Sequence, residues 1–285
     1  MRILVTGGAG FIGSHVVDAY VAAGHEVVVL DNFSTGRWGN VHPGVVDACE
    51  VDICDRQSVR EVLKDFKPDV VNHHAALIDV IECEKDPKGA EEINTDGTRI
   101  VLEEGIRAGI KEFIFASSGG AIYGECLEPA TEKQIPTPCG VYGQSKSSAE
   151  ASIIVMRNVI PFVILRYANV YGPRGDHGVI PAFEKAVQEG KPLSIYGDGK
   201  QVRDFIHVRD VARANVLALE HEGTFNIGTG VSMSINGLAR AIGGEAWQRR
   251  YLPARDSEIQ ESRLDVLRAK EVMGFKATSA MRPDC

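Results

Sequence analysis

Residues 6–13 read TGGAGFIG, and no other stretch constrains the fold of this chain so tightly. The run before it, RILVTG (2–7), reads as a buried strand, and FIGSHVVDAYVAAG (11–24) reads as a helix. The glycines therefore fall in the turn that joins them. Gly7 permits a tight turn, Gly10 lets a pyrophosphate approach the backbone, and Gly13 allows close packing of helix on strand. The unsatisfied N–H groups at the start of the helix face such an anion. A second strand, EVVVLDN (26–32), ends in Asp31, 18 residues beyond Gly13. A carboxylate there accepts hydrogen bonds from the adenosine ribose hydroxyls and repels a 2′-phosphate, so NAD is the expected cofactor. Arg37 nearby is the one group that argues for NADP.

The rest of the first half repeats this alternation. ACEVDI (48–53) reads as a strand that sets Asp52 near the adenine, followed by a helix at 56–66. PDVVNHHAA (68–76) reads as a strand, 87–109 as a long helix, and KEFIFASS (111–118) as a strand. A helix at about 144–157 and the strand PFVILRYANV (161–170) complete it. Near-continuous apolar strands that alternate with helices imply an α/β fold, a Rossmann-type doubly wound parallel sheet covered on both faces. Beyond residue 171 the elements shorten between Gly and Pro. The expected organisation is a cofactor domain over 1–170, with a return at about 204–228, and a smaller C-terminal substrate-binding lobe over 171–285. HHAA (73–76) lines the cofactor trough. His73 and His74 are expected to pack there rather than bind metal, because no carboxylate or cysteine follows at ligand spacing.

A net charge of −8 over 285 residues argues against nucleic acid or an anionic membrane as the main partner. Six cysteines (Cys49, Cys54, Cys83, Cys126, Cys139, Cys285) show no CxxC spacing and suit thiols in a reducing compartment. No apolar run approaches the ~18 residues that span a bilayer. The expectation is a cytoplasmic protein without a metal.

YGQSK (142–146) places a phenol and an ammonium four residues apart, on one face if the segment is helical. Lys146, helped by a positive nicotinamide ring, is expected to lower the Tyr142 pKa from about 10 toward neutrality. The phenolate then serves as general base for an alcohol whose carbon gives hydride to NAD, while Lys146 hydrogen-bonds the nicotinamide ribose. ASSGGAIYG (116–124) offers Ser117 and Ser118 to orient that alcohol.

Seven motifs in order, TGGAGFIG, LDNFSTG (30–36), SSGGAIYGE (117–125), YGQSK, LRYANVYGPR (165–174), YGDGKQVRDFIHVRDVA (196–212) and FNIGTG (225–230), resemble the extended short-chain dehydrogenase/reductase family, within it the UDP-glucose 4-epimerases. The resemblance implies transient oxidation at C4 of a UDP-hexose held over tightly bound NAD. Tyr142 takes the 4-OH proton, Ser118 (with Ser117 as the fallback) bonds the 4-OH, and Lys146 holds the ribose. It implies cofactor contacts from Phe11, Ile12, Asn32, Ser34, Thr35 and Gly36 beside the glycines and Asp31, and from Asp52, Ile53, Ala75, Ala76, Asn94 and Tyr167. It also implies substrate contacts from Asn169, Arg203, Arg255 and Glu258, with Ser262 at the gate facing the sugar's 2-substituent. A small residue at the gate leaves room for an N-acetyl group. The family pairs the helices at 87–109 and 144–157 into a homodimer.

Related 4,6-dehydratases carry Asp-Glu after the catalytic hydroxyl residue to expel water. Here Gly119 and Gly120 stand in those places and can act neither as acid nor as base. Two-carbon epimerase-reductases use a Cys/His pair, and Cys126 and His177 do not match that motif. Two rivals stay open. A UDP-uronic acid 4-epimerase needs a cation for the C6 carboxylate, and a non-catalytic NAD-dependent sensor usually loses the tyrosine or the lysine.

Overall fold

The computed structural model describes residues 1–255 and 258–278, which leaves Cys285 outside the described residues. In chain order the first half holds β1 (Arg2–Thr6), α1 (Phe11–Ala22), β2 (Glu26–Asp31), β3 (Asp47–Glu50), α2 (Arg56–Phe66), β4 (Val70–His73), α3 (Val80–Lys85), α4 (Pro87–Glu91), α5 (Thr98–Ala108), β5 (Glu112–Ser118), α6 (Gly119–Tyr123), α7 (Gly140–Val155) and β6 (Phe162–Tyr167). The second half holds β7 (Asn169–Tyr171), α8 (Val179–Gln188), β8 (Leu193–Tyr196), β9 (Val202–His207), α9 (Val208–Ala218), β10 (Gly223–Ile227), β11 (Ser232–Ser234), α10 (Ile235–Gly243), β12 (Arg249–Leu252) and α11 (Leu267–Met273).

Seven strands form one parallel sheet in the order β10-β6-β5-β4-β1-β2-β3. Along β1 and β2 the side chains alternate between two apolar layers, which is why these strands read as unbroken hydrophobic runs. Ile3, Val5, Val27 and Val29 pack in the core that also holds Val16 and Tyr20 of α1 and Val211 of α9. Leu4, Val28 and Leu30 pack in the opposite core, with Val59 of α2, Leu102 of α5 and Ile153 of α7. Strand order reverses between β1 and β4, so the C-terminal ends of these two strands flank a crevice. Thr6, Asp31, His73, Ser118 and Tyr167 all sit at that edge of the sheet.

Three features depart from the sequence reading. The helix expected from about 144 begins at Gly140, because Glu84 of α3 accepts the Val141 N–H at 2.8 Å and caps it from outside its own segment. The run 87–109 contains a turn of π-helix (Glu92–Gly97), where a Cβ on Gly97 would lie 2.7 Å from Ile53 Cδ1. The chain also crosses between bodies more often than a boundary at 170 allows. β10 joins the large sheet beside β6, within the return expected at about 204–228, whereas α11, assigned by sequence to the substrate lobe, buries Ala269 and Met273 in that sheet's core. β9 does not return to the large sheet but pairs with β7 and β11. The small lobe has its own core of Ile180, Phe183, Leu193, Ile195 and Leu238, roofed by the parallel pair β8–β12.

Glu112 opens β5 at the opposite edge of the sheet, buried, with one carboxylate oxygen unpartnered. Burial, then the charge of Glu222, pushes its carboxyl from 4.5 up to about 7. The folded pKa lies above the unfolded one, so no cost is felt below the unfolded pKa. Stability is then lost as pH rises from about 4.5 to about 7 and stays lost above. Glu112→Gln should therefore raise the melting temperature at pH 8 by a few degrees, and by clearly less at pH 5, in thermal scans at the two pH values.

Candidate active site

Over the crevice, Gly7 takes φ +65° and its N–H donates to Leu30 O at 2.8 Å. A Cβ on Gly7 would lie 2.7 Å from the Ala75 nitrogen, so the loop and the exit of β4 are in contact. A Cβ on Gly13 would lie 2.1 Å from Gly7 O. Gly13 thus lets α1 pack on the loop itself rather than on a strand. The first turn of α1, at Phe11 and Ile12, has no side-chain cap and no acidic residue, which leaves a positive helix end for an anion.

Asp31 is buried, and its two oxygens accept from Ala9 N–H (3.0 Å) and Phe33 N–H (2.8 Å). Each oxygen keeps a lone pair for a ribose hydroxyl, and Gly36 packs so closely that its Cβ would lie 2.6 Å from Asp31 Oδ1. Asn32 donates to Asp52 at 2.8 Å and accepts from Ser34, whose neighbour Thr35 is exposed. Burial alone would raise the Asp52 carboxyl, but hydrogen bonds from Cys54 and Asn32 hold it below the usual value. Arg37, the residue that argued for NADP, is paired with Asp176 at 2.9 Å. An uncapped helix end beside a buried carboxylate and a polar strand edge fits a dinucleotide without a 2′-phosphate.

His73 bridges Thr6 Oγ1 (2.6 Å) and Thr98 Oγ1 (2.9 Å) and is fully buried, so burial holds it neutral. His74 stacks against Tyr167 with ring centroids 6.3 Å apart, and burial followed by the Lys146 charge drives its pKa down to about 3. Both are neutral framework groups. The Tyr167 phenol is buried and bonded to Asn215 Nδ2 at 2.8 Å. Ile53 is buried against Gly97, and Ala76 lies half-buried after Ala75.

Tyr142 and Lys146 lie one turn apart at the start of α7. Lys146 is buried, with Nζ 4.0 Å from the Phe115 ring centroid. Burial lowers its pKa to about 7 against the smaller raising effect of Glu150. The Tyr142 phenol is pushed up to about 12 by burial. The Ser118 side chain against it offsets part of the rise and the Cys83 thiol adds to it. The protein groups alone therefore push this phenol up by desolvation, and the lowering expected from Lys146 together with a nicotinamide ring depends on the charge that the cofactor brings. Of the two serines, Ser118 is the one beside the phenol, while the buried Ser117 hydroxyl has no partner. Asn94 stands behind them. Its carbonyl accepts Leu77 N–H (2.7 Å), and its amide donates to Leu77 O (3.0 Å) and Ser145 Oγ (2.9 Å).

Across the cleft, Arg203 is mostly buried, with Nη2 3.9 Å from Glu258, and burial lowers its pKa despite that carboxylate. Ser262 and Asn169 are the side chains nearest Gly120, at 3.3 Å and 3.9 Å from where its Cβ would be. Arg255 stacks on Tyr196 at 4.1 Å. Residues 258–264 form a strap that Glu125 fastens by accepting the N–H groups of Gln260 (2.7 Å) and Glu261 (2.6 Å). Cys126 turns its sulfur to backbone carbonyls and His177 is an exposed partner of Asp176, so the two do not form a pair. The sequence reading missed Cys83, Glu84, Phe115 and Glu125, which act through tertiary contacts that no local pattern marks.

A family model described as "NAD dependent epimerase/dehydratase family" matches residues 3–228. UDP-glucose 4-epimerase of Mycolicibacterium smegmatis is 37% identical over 99% of this chain and 95% of its own. The crystal structure of UDP-glucose 4-epimerase from Thermotoga maritima with UDP-glucose aligns with TM-score 0.95 and 39% identity, covering 99% of this chain and 95% of that one. UDP-glucose 4-epimerase from Thermus thermophilus in complex with NAD aligns with TM-score 0.93 and 38% identity, covering 98% and 95%. No helix among the described residues is long and apolar enough to cross a membrane.

Asn94→Ala removes three hydrogen bonds from a buried amide, takes the side-chain acceptor from the Leu77 N–H and leaves the Leu77 carbonyl only the weak Cys83 thiol donor. It should cost about 2–4 kcal/mol in denaturant unfolding and lower turnover by loosening Ser145 beside Lys146.

Proposed function

The chain belongs to the NAD dependent epimerase/dehydratase family, and on that premise we propose that it interconverts UDP-hexoses at C4 through a transient 4-keto sugar. The observation that carries this reading is the grouping of Tyr142, Ser118 and Lys146 at the ends of β5 and α7, with glycines where a dehydrating site needs an acid and a base. Bound NAD supplies the hydride acceptor and a positive ring, the charge that the buried phenol needs in order to ionise. Tyr142 then takes the proton from O4 and later returns it, Ser118 orients that hydroxyl, and Lys146 keeps positive charge one turn below the phenol. Ala75, Ala76 and the α1 N-terminus serve the cofactor. Asn169, Arg203 and Arg255 serve the diphosphate, and Glu258 the uridine ribose. Asn94 and Tyr167 act by holding α7 and β6 in place. Gly119 and Gly120 leave the sugar space to turn over between the two half-reactions.

Ser262, small and buried beside Gly120, supports acceptance of N-acetylated sugars as well. The exposed apolar residues Val155 and Val159 at the end of α7 support a homodimer through α5 and α7, checked by solution mass. Cys49, Cys54, Cys83 and Cys126 are thiols, as suits the cytoplasm.

Tyr142→Phe should lower turnover by about 10²–10⁴ with an unchanged melting temperature. Activity at the wild-type rate would sink the mechanism. Product analysis with UDP-glucose, UDP-galactose and their two N-acetylated counterparts should show interconversion in both pairs. Ser262→Tyr should abolish only the acetylated pair, and activity on neither pair would overturn the reading as a whole.

A further inference from the structure

One turn beyond Lys146 on α7 stands a second buried charge that the proposed chemistry does not use. Glu150 is 2% exposed, and both its oxygens are held by Arg166 of β6, from Nε at 2.9 Å and Nη2 at 2.5 Å. Arg166 also donates to the Tyr123 phenol at 2.7 Å, and Tyr123 donates to Asn226 at 2.9 Å. Asn226 in turn bonds the carbonyls of Ala130 (2.8 Å) and Asp265 (3.0 Å), fixing the guanidinium end of the chain of contacts. Lys146 itself is 3% exposed and rests on the Phe115 ring rather than on a carboxylate.

A buried ammonium with no anion near it loses its proton. An anion in direct contact would keep the proton but consume the N–H donors that the site needs. The arrangement on α7 meets both demands. Arg166 engages both oxygens of Glu150 and holds the side chain in place, and the pair leaves a carboxylate on the face of the helix that Lys146 shares, where residues four apart are neighbours. The titratable groups that act on Lys146 are Glu150 on its own helix and His73 and His74 at and just beyond the end of β4, and Tyr142 lies four residues before it on the same helix. The histidines are held neutral and the phenol protonated, which leaves Glu150 as the anion among the four.

We propose that Glu150, clamped by Arg166, is a positioning residue that keeps the Lys146 ammonium charged while leaving its donors free for the ribose and the phenol. The use of that charge rests on the epimerase reading, but the charge can be measured without turnover. In NAD-loaded enzyme carrying ¹³C-lysine, the Lys146 resonance is identified by its loss in Lys146→Met and followed against pH. Glu150→Gln should lower the Lys146 midpoint by about one unit, and the alkaline limb of kcat/KM should fall with it. Because Glu150→Gln leaves Arg166 buried without a counter-ion, the double variant Glu150→Leu/Arg166→Met, which removes both charges and keeps apolar volume, gives the decisive measurement. A fall of at least about half a unit in the double variant supports the proposal, and a smaller change overturns it. Wild-type enzyme that fails to interconvert any UDP-hexose would overturn the epimerase reading instead and leave the Lys146 titration intact.

Discussion

The approach of two backbones at the reversal between β1 and β4 is the constraint from which the rest of the site follows. Gly7 and Ala75 touch there, and Gly13 lets α1 sit directly on the Gly7 carbonyl. Only side chains that stop at hydrogen allow this geometry, so the end of α1, the carboxylate of Asp31 and the exit of β4 converge on one groove. Asp31 belongs to that framework as much as to recognition. By accepting Ala9 and Phe33 N–H groups it ties the turn to the end of β2 and presents its remaining lone pairs in a fixed direction.

The second half of the site is built from burial. Tyr142, Lys146, His73, His74 and Tyr167 are packed into a region where charge is costly, and each titration is displaced toward the neutral form. Such a region has little reactivity of its own and responds strongly to any charge brought into it. That property suits chemistry in which one proton must leave and return at the same oxygen while water is kept away.

The large sheet was legible because it obeys a simple rule. Strands covered on both faces are apolar throughout, and β1, β2 and β5 fall within one residue of their expected bounds. The glycine turn and the Tyr142–Lys146 pair were legible for a similar reason, since both depend on residue type at fixed local spacing. What escaped depends on distant partners. The start of α7 is set by Glu84, more than fifty residues upstream, and α11 is held by a strand of the other body. The desolvation that raises the Tyr142 pKa was not legible either, because spacing reveals a neighbouring charge but not the depth at which both groups lie.

The repeated crossings of the chain carry a mechanical consequence. Between Tyr167 and Asn169, between His207 and Val208, after Ile227 and again before Leu267, the backbone passes from one body to the other. A lobe moored by four separate strings cannot swing on a single pivot like a flap. Its permitted movement is a shallow slide or rock that keeps the roof close to the floor, so a sugar can tumble inside without being let out.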